Sequence, residues 1–331
     1  MVMTSERAEE RNLALDAVRV TEAAALASAR LMGRGDVAAA EQSAVAAMRN
    51  AFDSLEIAGT VVVGEGEPEE APDLYVGQRV GRWRGDDPRI EVALDPLEGA
   101  RMCALGQPNA LSALAMTRGG HLLKAPDLYM EKIAVGPAGH GAIDIEQSPS
   151  WNLHAIADAK GVYVQDLTVV VLDRPRHEGL VREVREAGAR IKLIPDGDVS
   201  AAIATCRDED TGIDVLMGTG GAPEGVLAAA AIRCVGGDLQ GRLVARNPEE
   251  HEIARRAGLE DLSRVLTLDD LATGEILFAA TGITDGDFLR GARFRRGGAV
   301  TYSSVFRSKT RTVRFIEAHH RFDQRPRFGD L

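Results

Sequence analysis

From residue 168 to residue 235, β-branched apolar runs alternate with amphipathic stretches of helical period, and this alternation constrains the fold more than any other feature of the chain. Strands are expected over 168–172, 190–194 and 213–217, and helices over 177–187, 199–206 and 223–235. Strands joined by helical crossovers pair in parallel with right-handed connections, and such sheets receive ligands beyond the carboxyl ends of their strands. The chain before this region reads differently. Leu13, Ala17, Val20, Ala24, Ala27 and Leu31 recur at four- and three-residue steps, which predicts a long helix over 6–32. Gly33-Arg34-Gly35 closes it, and Asp36 is placed to cap a second, antiparallel helix through Met48 and Phe52. Further strands are expected at 60–63, 90–94, 110–116 and 132–135, then at 276–280, 300–306 and 310–316. The expected fold class is α/β, two fused halves, 1–162 and 163–331, packed in αβαβα layers.

Three segments set carboxylates beside glycine where a strand ends or a helix begins. Gly64-Glu65-Gly66-Glu67 follows a strand, and an extended chain points Glu65 and Glu67 to one side. Asp95-Pro96-Leu97-Glu98-Gly99 follows another. Pro96 suits the first position of a helix or turn, which puts Asp95 and Glu98 on one face around its N-terminus. In the third, a glycine turn at Gly218-Thr219-Gly220-Gly221 and then Pro223 lead to Glu224 in the first turn of a helix. Singly, each is as well explained by a solvated loop or by an acid complementing a helix dipole. Together, mutually repelling carboxylates form the donor set of a hard divalent cation such as Mg²⁺ or Mn²⁺.

Companion features suit phosphate. Arg174 and Arg176 follow the strand over 168–172, and two guanidiniums clamp a phosphate bidentately, although either alone is an ordinary surface arginine. Asp196-Gly197-Asp198 closes the next strand, either accepting from sugar hydroxyls or forming an Asp-Gly turn with Asp198 as a helix cap. Pro223 stands where a dinucleotide fingerprint needs its last glycine, and no Gly-Lys-Ser/Thr of a P-loop occurs. The sequence contains neither HExxH nor G-x-S-x-G. His319-His320 reads as surface, and Arg307, Lys309, Arg311 and Arg314 as a solvated basic strand face, with phosphate or intersubunit contact as the alternative.

With 50 Asp+Glu against 39 Lys+Arg the formal charge is −11, which argues against nucleic acid or an anionic membrane as the partner. Cys103, Cys206 and Cys234 lack CxxC spacing and read as reduced thiols. No apolar run approaches the roughly 20 residues of a membrane span, and a cytoplasmic location is expected.

In order and spacing, GRGD at 33–36, VVVGEGEPEEAPDLYVG at 61–77, DPLEG at 95–99, GQPNAL at 106–111, APDLYMEKIAVGP at 125–137, RPRH at 174–177, IPDGDV at 194–199, GTGGAPEGVLAAAAIRC at 218–234 and ATGITDGD at 280–287 resemble the class II fructose-1,6-bisphosphatase family, a branch of the metal-dependent sugar and inositol phosphatases. The resemblance covers essentially the whole chain. It implies hydrolysis of the 1-phosphate of a sugar bisphosphate with Mn²⁺ or Mg²⁺, a homodimer or homotetramer, a metal and catalytic half over 1–162 and a sugar-phosphate-binding half over 163–331. By the same resemblance Glu41, Glu65, Asp95, Glu98 and Glu224 are metal ligands, with Asp95 and Glu98 beside the reaction. Glu98, Gly99, Tyr129, Arg174, Arg176, Asp196, Asp198 and Gly221 fall at substrate positions.

Three positions depart from the family pattern. Ala100 replaces a threonine whose hydroxyl helps to orient and activate the attacking water, Val37 replaces a lysine, and Glu41 replaces an aspartate. Loss of a proton-transfer group costs roughly 10²–10⁴-fold, and a ligand one methylene longer misplaces its cation by about 1 Å, at a cost on the order of 10²-fold. The alternatives are a phosphatase of a different sugar phosphate, a catalytically impaired sugar-phosphate-binding or regulatory paralogue and, more distantly, an isomerase or lyase that uses the same cations.

Overall fold

The computed structural model describes residues 5–69 and 71–324, with the side chains of 5–12 and 324 outside the description. Glu70, within the matched stretch 61–77, and the ends of the two expected halves, 1–4 and 325–331, lie outside the described residues. The chain forms two compact units, one made of Met1–Gly119, Leu277–Arg307 and Thr312–Leu331, the other of Gly120–Ile276 and Ser308–Arg311.

The first unit opens with α1 (Ser5–Ala29) and α2 (Val37–Phe52), followed by β1 (Ala58–Val63), β2 (Arg79–Val80), β3 (Arg89–Glu98), α3 (Ala100–Leu105) and β4 (Leu111–Arg118). Asp36 caps α2 as expected, its carboxylate accepting from the Ala39 N–H at 3.0 Å. The periodic alanines let the two helices lie close, and Ala17, Ala24, Ala40, Ala44, Met48 and Phe52 pack with Val61, Val92 and Leu94 in one core. β1 runs parallel to β3, and β3 antiparallel to β4.

The second unit holds β5 (Tyr129–Val135), α4 (Pro149–Lys160), β6 (Thr168–Leu172), α5 (Glu178–Glu186), β7 (Arg190–Ile194), α6 (Asp198–Ala204), α7 (Asp208–Thr211), β8 (Val215–Gly221), α8 (Ala222–Val235), β9 (Asp238–Val244), α9 (Pro248–Arg256) and α10 (Leu268–Leu271). β6 is parallel to both β7 and β8, as the β–α alternation requires. β5 lies antiparallel between β8 and β9, giving the order β7-β6-β8-β5-β9. The break expected between 162 and 163 therefore falls inside this unit, because β5 draws residues from before it into the sheet.

The chain then returns to the first sheet with β10 (Glu275–Gly282), β11 (Arg293–Arg295), β12 (Gly298–Arg307) and β13 (Thr312–Arg321), in the order β11-β12-β10-β4-β3-β1-β2 with β13 on β12. The ladder between β12 and β13 is unbroken from Gly298↔Arg321 to Arg307↔Thr312, so residues 308–311 form a turn rather than the start of a strand. Lys309 and Arg311 sit in that turn, which divides the expected basic strand face, and Lys309 pairs with Glu275 at 2.5 Å. Cys103, Cys206 and Cys234 are buried with free thiols, burial pushing Cys103 up to about 11 and Cys206 to about 12. Among the described residues no helix is long and apolar enough to cross a membrane.

Candidate functional site

In the first unit the carboxylates converge from a helix, a loop and a strand end. Glu41 lies one turn into α2. The chain bends at residues 64–66, so the extended geometry expected to align Glu65 with Glu67 is absent, and the Glu65 N–H donates to the Leu74 carbonyl at 3.0 Å. Gly64 fits this fold-back because a Cβ there would collide with that same carbonyl oxygen.

Asp95 and Glu98 do not flank a helix start. They close β3, and α3 begins at Ala100, after Gly99 with φ +77. Asp95 stands opposite Ala113 and Glu98 opposite Leu111, so three steps on β3 match two on β4. Opposed residues share a face and alternate residues of a strand share a face, so this one-residue bulge puts Asp95 and Glu98 on the same side of the sheet. The expected pairing is reached by a different device. Glu98 is buried and Asp95 half-buried, its Oδ1 accepting from the Leu97 N–H at 2.9 Å.

Electrostatics tie the group together. The Glu65 carboxyl is pushed up to about 8, first by desolvation, then by the charges of Asp95 and Glu41. Desolvation also raises Glu41. A buried carboxyl whose proton is held by two neighbouring carboxylates offers hard oxygen donors that fit a divalent cation in kind. They do not form a finished ligand shell, for among the described residues no three His, Cys, Asp or Glu side chains stand in metal-holding geometry. Glu224 belongs to the second unit, in the first turn of α8, where it was expected.

In the second unit the sugar-phosphate candidates gather at the carboxyl ends of β6, β7 and β8. Arg174 precedes and Arg176 lies within the short 3₁₀ turn Pro175–His177, just beyond β6. Arg176 donates to the Thr219 carbonyl from Nε (3.1 Å) and Nη2 (2.6 Å), and its guanidinium stands 4.8 Å over the Tyr129 ring. Arg174 donates from Nη1 to the Asp173 carbonyl at 3.0 Å. Asp198 is not a helix cap. Gly197 takes that position, and Asp198 Oδ2 instead accepts from Lys132 Nζ at 2.5 Å. Asp196 accepts from the Gly197 N–H at 3.1 Å. Residues 218–221 are strand rather than turn, paired with β5 as far as Tyr129↔Gly221. Gly220 answers crowding, since a Cβ on it would strike the Asp198 carboxylate and stand 3.1 Å from Lys132 Nζ.

Lys132, His177 and Arg246 also touch the candidate residues, which their place in the sequence does not reveal. Lys132 Nζ also donates to the Gly221 carbonyl at 2.8 Å, and a charged residue inside the apolar run 130–135 was the available signal. Arg246 is held by Glu250 four residues on and stands 4.4 Å over the Tyr129 ring, a contact without local signature. On β13, His319 pairs with Glu317 and His320 with Thr301.

Residues 11–320 match the family described as bacterial fructose-1,6-bisphosphatase, glpX-encoded. The chain is 46% identical over 338 residues to a D-fructose 1,6-bisphosphatase class 2/sedoheptulose 1,7-bisphosphatase of Synechococcus elongatus, covering 95% of this chain and 97% of that protein. A protein of the same description from Synechococcus sp. strain JA-3-3Ab is 45% identical over 342 residues, 96% and 98% of the two chains.

Proposed function

Because the chain belongs to the family of bacterial glpX-encoded fructose-1,6-bisphosphatases, a metal-dependent family of phosphoric monoester hydrolases, we propose that it removes the 1-phosphate of a ketose bisphosphate, fructose 1,6-bisphosphate or sedoheptulose 1,7-bisphosphate, with Mg²⁺ or Mn²⁺. The observation that carries this reading is the Glu65 carboxyl, raised to about 8 beside Asp95 and Glu41, a gathering of like charges that a bound cation relieves. Glu41, Glu65, Asp95 and Glu98, all in the first unit, would hold the cation. When bound, it acts as a Lewis acid on the phosphoryl oxygens.

The chain's own groups do the rest. Arg174 and Arg176 receive a phosphate, Asp196 and Asp198 accept from sugar hydroxyls, and the Tyr129 ring and Gly221 flank the sugar. Ala100 supplies no hydroxyl beside Glu98, which lowers turnover without removing binding. The same reading takes the protein as a cytoplasmic homodimer or homotetramer that acts on a small sugar phosphate. A second reading, a regulatory sugar-phosphate binder, draws on Ala100 and on Val37, the exposed first residue of α2. With Mg²⁺ or Mn²⁺ present, a panel of sugar phosphates is expected to yield phosphate from ketose bisphosphates and to stop on chelation. Binding without any phosphate release would favour the regulator, and neither binding nor release would remove both readings.

Glu65 also gives a pH prediction. Its folded-state carboxyl is raised, so in metal-free protein its contribution to stability is present below the ordinary carboxylate range, near 4.5, and is lost as pH rises through about 8. A ligand must shed its proton to bind, so Mn²⁺ affinity rises over the same interval. Calorimetric titrations at pH 6, 7 and 8 should tighten stepwise, and Glu65→Gln should flatten the trend. A flat trend in the unaltered protein would contradict the assignment of Glu65 as a ligand.

A further inference from the structure

His177 is buried at the end of the 3₁₀ turn that carries both arginines. Its Nδ1 lies 2.7 Å from the Leu172 carbonyl at the end of β6, and its Nε2 lies 2.8 Å from the Thr219 amide nitrogen in β8. A carbonyl only accepts and an amide N–H only donates, so Nδ1 carries the proton, Nε2 accepts, and the ring is neutral in a single tautomer. The residue whose N–H meets the imidazole is the same residue whose carbonyl receives Nε and Nη2 of Arg176. Both ends of Thr219 are therefore held by consecutive residues of one turn. The fit is close, since Gly218 has φ +131 and a Cβ on it would stand 3.0 Å from His177 Nε2.

We infer that His177 is a positioning residue for phosphate binding. By tying Leu172 to Thr219 it fixes the carbonyl on which Arg176 is anchored, so that the guanidinium N–H groups not spent on that carbonyl face outward in one orientation, ready for a phosphate. The inference rests on the reading above that Arg176 receives a substrate phosphate. The charged groups facing the ring are Arg174 and Arg176 from its own turn and Asp198 from α6. Burial is the largest influence and, with the two arginines, outweighs Asp198 and the Leu172 hydrogen bond, so the ring's proton affinity falls below the ordinary histidine value. Acidification through that lowered value sets a second donor against the Thr219 N–H and releases the anchor.

The test is calorimetric affinity for fructose 1,6-bisphosphate in protein kept free of divalent cation by EDTA, where the proposed reaction does not consume the ligand, compared with His177→Phe and His177→Gln. At pH 7.5 the phenylalanine variant, which can neither donate nor accept, is expected to bind roughly tenfold more weakly, the loss that follows from disordering one charge-assisted contact. Glutamine, which can accept from the Thr219 N–H, should recover part of the loss. Between pH 7.5 and 5.5 the unaltered protein should lose affinity relative to His177→Gln measured at the same pH, a comparison that cancels titration of the phosphate itself. ¹⁵N spectra should show the Nδ1–H tautomer across neutral pH. Equal affinities in all three folded proteins, or a ratio to His177→Gln that does not change with pH, would overturn the inference while leaving the phosphatase reading intact. If His177→Phe does not fold, the pH ratio against His177→Gln decides alone. An unaltered protein that binds no bisphosphate would instead defeat the reading on which the inference rests.

Discussion

Ala100→Thr is expected to raise kcat on a ketose bisphosphate by about 10²–10⁴-fold, the range that accompanies gain or loss of a proton-transfer group. Ala100 is the first residue of α3 and half-buried, directly after Gly99 and Glu98. The helical turn is already fixed by the Cys103 N–H donating to the Gly99 carbonyl at 3.0 Å, so a β-branched residue enters a formed backbone. An interaction made only in the transition state moves kcat and leaves KM nearly in place. Phosphate release at saturating substrate separates the two, and a rate unchanged within twofold would mean that Val37 and Glu41, rather than Ala100, set the level of activity.

Lys132→Met is the second large effect, on stability. The Lys132 and Asp198 side chains are 2% and 9% exposed, and the ammonium bridges the Asp198 carboxylate and the Gly221 carbonyl. Removing one partner of a buried pair leaves an uncompensated charge and costs about 3–5 kcal/mol. Removing both charges is far less costly, so Lys132→Met combined with Asp198→Asn should regain most of the loss in urea unfolding. A single-variant cost below about 1 kcal/mol would place the pair among solvent-screened contacts instead.

Much of the fold is written in local signals. The β–α alternation located β6, β7, β8 and the helices between them, and Asp36 capped α2 as its position indicated. What escaped was set by pairing between distant segments. β5 joins the second sheet through β8 and β9, which moved the expected boundary at 162 into the interior of a unit. DPLEG reads locally as a proline-started turn, yet its ladder with β4 keeps it in the strand and a bulge aligns its two acids. Residues 218–221 read as a turn, but pairing with β5 continues them as β8, with His177 crowding Gly218 and Asp198 crowding Gly220. Lys132 and His177 stayed hidden as site residues for the same reason, since their partners lie 66 and 42 residues away.

The central claim, metal-dependent removal of one phosphate from a ketose bisphosphate, is tested most directly by ³¹P NMR of fructose 1,6-bisphosphate with the protein near stoichiometric concentration and Mg²⁺, which spares the signal the broadening of Mn²⁺. The 1-phosphate resonance should decline as inorganic phosphate grows, the 6-phosphate should persist, and EDTA should stop the change, with Ala100→Thr completing it far sooner. Both phosphate resonances unchanged in the unaltered protein and in Ala100→Thr alike, with cation present, would contradict it.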